Sequence, residues 1–228
     1  RTFLCHQKGG LCHAMLKIKR FIFNMVQENC YVLHDETLEG VIIDCGALML
    51  EEEEALRDYI AAEGIQVKHL LHTHSHFDHV FGDQFVYSTY GIKPEMHEQE
   101  VALYGDVSGQ VAMFLHRNIS VVVPPLGKVF TGRDEIKFGN HALEIIETPG
   151  HSPGGVCFYC RAEKALFSGD SLFKHEIGRF DFPYGDGAAL IDNLKTKILT
   201  LPADVNVYPG HGDATSIEEE RAYNPYLR

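Results

Sequence analysis

The 228-residue sequence predicts one domain of mixed helix and strand, α/β or α+β. Short apolar stretches of strand length alternate with a few segments of helical period, and no linker or low-complexity tract divides them after residue 14. The 45% hydrophobic content suits a globular core, and the length is within what sandwich-type folds fill as a single domain.

Residues 16–23 read as an opening strand, with further strands at 31–34 and 41–44. A helix is expected over 51–63: Leu56, Tyr59 and Ile60 share one face, acidic residues load the first turn, and Gly64 stops the chain. Val67, Leu70 and Leu71 form an apolar stretch short enough to be a buried strand. The segment 98–120 should hold one or two helices, with Met113, Phe114 and Leu115 serving as packing and not as a substrate box. Strands at 135–138 and 141–147 are joined by a plausible hairpin turn at Gly139-Asn140, and residues 156–160 form another strand. Leu190, Leu194 and Ile198 step by four within a helix expected over 188–199.

The most informative feature is Thr73-His74-Ser75-His76-Phe77-Asp78-His79, placed on the loop that leaves the strand at 67–71. One or two such residues could be an exposed loop; four together point to a metal site, because imidazole nitrogen and carboxylate oxygen suit borderline divalent ions. On an extended stretch these side chains diverge, which favours two ions, His74 and His76 serving one and Asp78 with His79 the other. The missing ligands have candidates. His151 lies in Thr148-Pro149-Gly150-His151-Ser152-Pro153-Gly154, Asp170 in Ser168-Gly169-Asp170-Ser171, and His211 in Pro209-Gly210-His211-Gly212. Each follows an apolar run (143–146, 165–167 and 205–208) that ends in Gly or Pro turn chemistry.

These motifs, in this order, resemble those of metallo-β-lactamase-fold hydrolases, and within them a single-domain glyoxalase II-like group; the likeness runs from Met15 to Arg228. It implies an αβ/βα sandwich of two mixed sheets with outer helices, and the metals at one edge. It also implies that His74, His76 and His151 hold one ion, that Asp78, His79 and His211 hold the other, and that Asp170 bridges them. Asp44, in Ile42-Ile43-Asp44-Cys45-Gly46, matches an early strand-end aspartate that supports ligands without being one. His76 stands where the diiron flavoprotein branch resembles Glu, which argues against that branch. Asp78 and Asp170 are the candidate catalytic carboxylates. The cofactor expected is a pair of divalent ions, zinc first, with iron or manganese as alternatives.

Paired ions bring a bridging water toward hydroxide at working pH and polarise the carbonyl under attack. No general acid is evident beside the ligands, so a thiolate leaving group, with a reference pKa of ~8.5, is easier to support than an amide nitrogen. The expected partner is therefore a small-molecule thioester. Ile177-Gly178-Arg179-Phe180-Asp181-Phe182-Pro183-Tyr184-Gly185-Asp186 resembles the same group, and Arg179 with Asp181 either contacts substrate or forms a structural ion pair. With 17 residues after His211, no room is expected for the helical domain with which two-domain glyoxalase II enzymes grip glutathione. The alternatives are a lactonase or a mononuclear iron persulfide dioxygenase of the same fold; Pro183, where the dioxygenase branch resembles Gln, favours the hydrolase.

The 20 basic and 32 acidic residues give a formal charge of −12, which disfavours nucleic acid as a partner. No apolar run approaches the ~18 to 20 residues of a membrane span, and no signal peptide is visible, so a cytoplasmic protein without membrane attachment is expected. The oligomeric state is left open. Cys157 and Cys160, three apart on one strand, face opposite ways and read as core thiols, as do Cys30 and Cys45. Residues 1–14, with Cys5-His6 and Cys12-His13, are expected to be a dispensable extension to the domain at 15–228.

Overall fold

The computed structural model describes residues 15–228. The extension at 1–14, with Cys5, His6, Cys12 and His13, lies outside the described residues. The first sheet runs in sequence order through β1 (Lys17–Phe23), β2 (Glu28–His34), β3 (Glu39–Ile43), β4 (Gln66–Leu71), β5 (Pro94–His97) and β6 (Val129–Phe130). Its first two pairings are antiparallel and the rest parallel. The second half supplies β7 (Glu135–Phe138), β8 (His141–Glu147), β9 (Val156–Cys160), β10 (Ala165–Gly169), the hairpin β11 (Leu172–Phe173) and β12 (Glu176–Ile177), then β13 (Asn206–Pro209) and β14 (Thr215–Ser216). The second sheet has the order β14-β13-β10-β9-β8-β7, with only β10 and β13 parallel neighbours. Both sheets are mixed, as the resemblance implies. The strands at 31–34 and 41–44 begin earlier than hydropathy suggests, because polar Glu28, Asn29 and Glu39 also join the ladder.

The period of two distributes each strand between separate cores. Tyr31, Leu33, Val41 and Ile43 face Phe138, Leu143, Phe158 and Phe167 between the sheets. Cys30, Val32 and Ile42 point outward beneath α1 (Leu50–Glu63), where they meet Leu56 and Ile60. On the second sheet Cys160 packs inward and Cys157 outward, which agrees with the opposite faces expected for these thiols. Fully buried phenylalanines such as Phe158 and Phe167 each contribute about 2 to 3 kcal/mol of transfer free energy. The helix α1 ends as expected, with Gly64 at φ 69° and its amide closing on Ala61 and Ile60.

Short helices α2 (Phe77–Val80), α3 (Asp83–Tyr90), α4 (Val101–Tyr104) and α5 (Val107–Leu115) follow in the first half. The helix expected over 188–199 is α-helical only in α6 (Gly187–Asn193), and Leu194–Ile198 continues as a π turn before the last helix, α7 (Ile217–Tyr223). Residues stepping by four drift about 40° per step around an α-helix. The wider π turn counters that drift and keeps Leu190, Leu194 and Ile198 buried on one line.

Strands β8, β10 and β13 point the same way, and their carboxyl ends open on the edge of the sandwich that also receives the end of β4. That edge is fixed across the sheets from β2. Asn29 Nδ2 donates to the carbonyls of Pro209 and Gly212 at 2.9 Å each, and the Tyr31 hydroxyl donates to Pro209 O at 2.7 Å. At the opposite edge Asp35 accepts from the Asn140 amide at 2.7 Å and from His141 Nδ1 at 2.9 Å. Among the described residues, no helix is long and apolar enough to cross a membrane.

Candidate metal centre

The histidine-rich run does not stay extended. The chain is extended at His76 and then turns into α2, so Asp78 and His79 sit on a helical turn, with the His79 amide donating to His76 O at 3.0 Å. The premise of an extended stretch is thereby corrected. Curling His79 back sets its ring centroid 4.2 Å from that of His74.

All seven candidate ligands reach one site. Donor atoms of His74, His76 and His151 lie within 4.8 Å of one another, as do those of Asp78, His79 and His211; a third such group joins Asp44 to His74 and His79. Asp170 stands between the first two groups, its carboxylate oxygens 3.4 Å from His79 Nε2, 3.6 Å from His151 Nε2 and 3.5 Å from His211 Nε2. Space for it depends on Gly210, where a Cβ would fall on the Asp170 carboxylate and 2.8 Å from His79 Cε1.

The outer nitrogens of these rings are bound to the protein, which sets the tautomers. His151 Nδ1 donates to Arg179 O at 2.7 Å and His211 Nδ1 to Val26 O at 3.1 Å. His79 Nδ1 donates to Asp44 at 3.0 Å and His74 Nδ1 to Thr73 Oγ1 at 3.1 Å, that hydroxyl being committed as a donor to Asp44 at 2.7 Å. A carbonyl or carboxylate can only accept, so in each neutral ring the inner nitrogen carries a lone pair. In their neutral forms His79 Nε2 and His211 Nε2 would face each other lone pair to lone pair at 3.3 Å, and the buried His74 Nε2 has no hydrogen-bond partner. Such an arrangement calls for a cation at the inner atoms, and the outer contacts are those that orient metal-binding histidines.

Charge supports the same fit. Burial pushes His74 down, takes His76 to about 3 with His151 adding to the effect, and lowers His151, leaving neutral imidazoles. Burial opposes ionisation of Asp78 and Asp170, but His79 and His211 outweigh it and hold both below the usual carboxylate range. Asp44 settles at about 2, burial again being overcome, by His79 and His72. Burial also works against a charge on His79 and His211, yet Asp170 and Asp78 raise both, so these two rings favour a proton that a bound cation would displace. Neutral imidazoles and ionised carboxylates are the ligating forms, and buried carboxylates need a counter-cation.

Several supporting residues escaped the sequence reading. Glu100 accepts from the Ser75 amide at 2.8 Å, from Ser75 Oγ at 2.7 Å and from the Gly154 amide at 2.7 Å, so one buried side chain braces both loops that carry His74, His76 and His151. Tyr184 places its hydroxyl 2.8 Å from His76 Nε2. His72 bonds Asp83 at 3.0 Å, and Asp83 also accepts from Tyr104 at 2.9 Å, beneath the ligand loop. Only the family-like segment around Tyr184 offered any signal for these.

Above the donors opens a cleft of about 720 Å³, within the range of small-molecule sites. Arg179 and Asp181 form an exposed two-pronged ion pair at 2.9 Å, with the guanidinium 5.1 Å from the centre of the Phe182 ring; Arg179 lines the cleft and Asp181 does not. Phe114 and Leu115 line it too, which corrects their assignment to packing alone, whereas Met113 is exposed and outside it.

Residues 24–211 match the family described as the metallo-beta-lactamase superfamily. The chain belongs to that superfamily and is a metallo-hydrolase. It is 35% identical over 203 residues to the hydroxyacylglutathione hydrolase GloC of Haemophilus influenzae, covering 88% of this chain and 93% of that one. Among solved structures it resembles BLEG-1, a B3 metallo-beta-lactamase, with a TM-score of 0.83 and 33% identity over 92% of this chain and 99% of that one. It also resembles TTHA1623 in a di-iron-bound form, with a TM-score of 0.80 and 32% identity over 92% of this chain and 100% of that one.

Proposed function

We propose that the protein is a thioester hydrolase in which His74, His76 and His151 hold one divalent ion, Asp78, His79 and His211 hold a second, and Asp170 reaches both. The observation that carries the centre is the approach of the inner nitrogens of His79 and His211 to 3.3 Å of each other beside the Asp78 and Asp170 carboxylates. Two ions there would supply a nucleophile from water at neutral pH and Lewis acidity toward a carbonyl. Zinc suits the nitrogen and oxygen donors, and iron or manganese would be accepted by the same set; the di-iron form of TTHA1623 supports iron as a serious candidate.

The chain's own residues set the rest. Asp78 and Asp170, which both line the cleft, are held ionised below the usual carboxylate range, so they can orient a water by accepting its hydrogen bonds but are poor acceptors of its proton. Neither carries a proton to give to the leaving group. A thiolate departs without one, its reference pKa being ~8.5, whereas an amide nitrogen does not. The likeness to a hydroxyacylglutathione hydrolase supports the same bond. The likeness to BLEG-1 keeps lactam cleavage as a second reading. Steady-state hydrolysis of S-lactoylglutathione and of a β-lactam by metal-loaded protein separates the two: faster turnover of the thioester supports the proposal, and turnover of the lactam alone overturns it.

A further inference from the structure

The wall of the cleft beside His76 and His151 is apolar and begins at the donors themselves. Phe182 lies with its ring centroid 5.0 Å from that of His76 and 5.5 Å from that of His151. Phe114 meets His76 at 6.3 Å, packs edge-on against Phe182 at 5.5 Å and stacks on Phe77 at 5.5 Å. With Leu115 these rings make a continuous surface from α2, α5 and the 179–184 loop. Arg179, whose guanidinium lies over the Phe182 ring, is paired with Asp181. The charged side chains Lys174, Glu176 and Asp213 line the cleft from the β11–β12 hairpin and the His211 loop, where Phe173 meets His211 at 6.2 Å.

We infer, building on the thioester reading, that the acyl half of the substrate lies on the Phe77, Phe114, Leu115 and Phe182 wall, and that the enzyme favours extended aliphatic or aromatic acyl groups over small hydroxyacyl groups. Phe182 and Phe114 flank the donor rings, so a group bonded to a carbonyl carbon attacked at the donor cluster would start beside them. A hydroxyl placed there loses its water and meets aromatic carbon, which costs free energy, whereas each methylene gains by leaving water. The polar thiol half is better matched to the charged end.

The test is a series of esters on one neutral thiol, N-acetylcysteamine, carrying acetyl, lactoyl, butyryl, hexanoyl and phenylacetyl groups. The expected result is a rise in kcat/KM of roughly threefold per methylene up to hexanoyl, with lactoyl below butyryl. Phe114→Ala should flatten the hexanoyl-to-acetyl ratio, and Leu115→Trp, which narrows the wall without opening a cavity, should lower it too. Ketone analogues with a methylene in place of the sulfur are not turned over. Their dissociation constants should fall along the same series, with a more negative heat-capacity change for longer chains. Equal rates at all chain lengths, or lactoyl preferred, would overturn the inference and leave the thioester reading standing. No hydrolysis of any member would remove that reading and the inference with it.

Discussion

The two halves of the proposed centre differ in how they are held. The first group, His74, His76 and His151, is made of neutral imidazoles, all buried, and its two loops are pinned together by Glu100. In the second group Asp78 brings a charge, and His211 is 27% exposed where His151 is 7% exposed. His211 is oriented by the carbonyl of Val26, in the turn between β1 and β2, and not by a buried side chain. The first half is built as a fixed socket and the second as an electrostatic one open to water. An ion in the second half should exchange faster.

Asp170 meets inner nitrogens of both halves, so the largest effect belongs to Asp170→Ala: both ions are weakened, and kcat/KM should fall by roughly 10³-fold or more. Full activity in that variant would show that the halves work independently. His211→Ala and His151→Ala should separate the halves. Chelator-driven release from the intact protein is expected in two phases, differing roughly 10-fold or more in rate; His211→Ala should abolish the fast phase and His151→Ala the slow one. The reverse assignment would invert the comparison.

Glu100→Ala leaves buried donors on Ser75 and Gly154 without a partner. Stability should fall by about 3 kcal/mol, and affinity in the first half by roughly 10- to 100-fold, with the second half spared. Chemical denaturation and metal titration of the variant read these separately.

Acid should strip the centre before it unfolds the chain. Imidazole ligands release metal as they take up protons, and His211, raised by Asp170 and Asp78 against the effect of burial, is partly exposed and so open to protons from water. Across the sheets at the far edge, burial opposes ionisation of Asp35, but hydrogen bonds from Thr37, the Asn140 amide and His141 hold it at about 2. A carboxyl lowered from ~3.9 stabilises the fold above that pH and loses its contribution as the pH falls toward 2. Metal content should therefore drop at higher pH than near-ultraviolet circular dichroism; coincident loss would contradict this order. The smallest effect is expected for Tyr184→Phe, which removes one hydrogen bond from His76 and should weaken the first half by only a few-fold in metal titration.

Much of this was readable from sequence because ligands and strands leave local marks. His74, His76, Asp78 and His79 fall within one loop, and His151, Asp170 and His211 each follow an apolar run that stops at glycine or proline. The hairpin at Gly139-Asn140 follows from turn residues set between two strand-like runs, and the opposite faces of Cys157 and Cys160 follow from the period of two. Glu100 was out of reach, since its partners Ser75 and Gly154 lie far along the chain and nothing local marks a buried carboxylate as a brace. The carbonyls of Val26 and Arg179 are invisible for another reason: any residue there could supply the same acceptor. The helical turn at Phe77–Val80 leaves no mark in the sequence, because four residues are too few to show a period. Phe114 both packs and lines the cleft, two roles that a local apolar run does not tell apart.

If seven side chains form one centre for two ions, the metal content of the protein after loading and dialysis, by elemental analysis against protein concentration, shows it directly. About two ions per chain are expected in the intact protein, about one in His211→Ala and fewer in Asp170→Ala. A single ion in the intact protein, unchanged by His211→Ala, would contradict it.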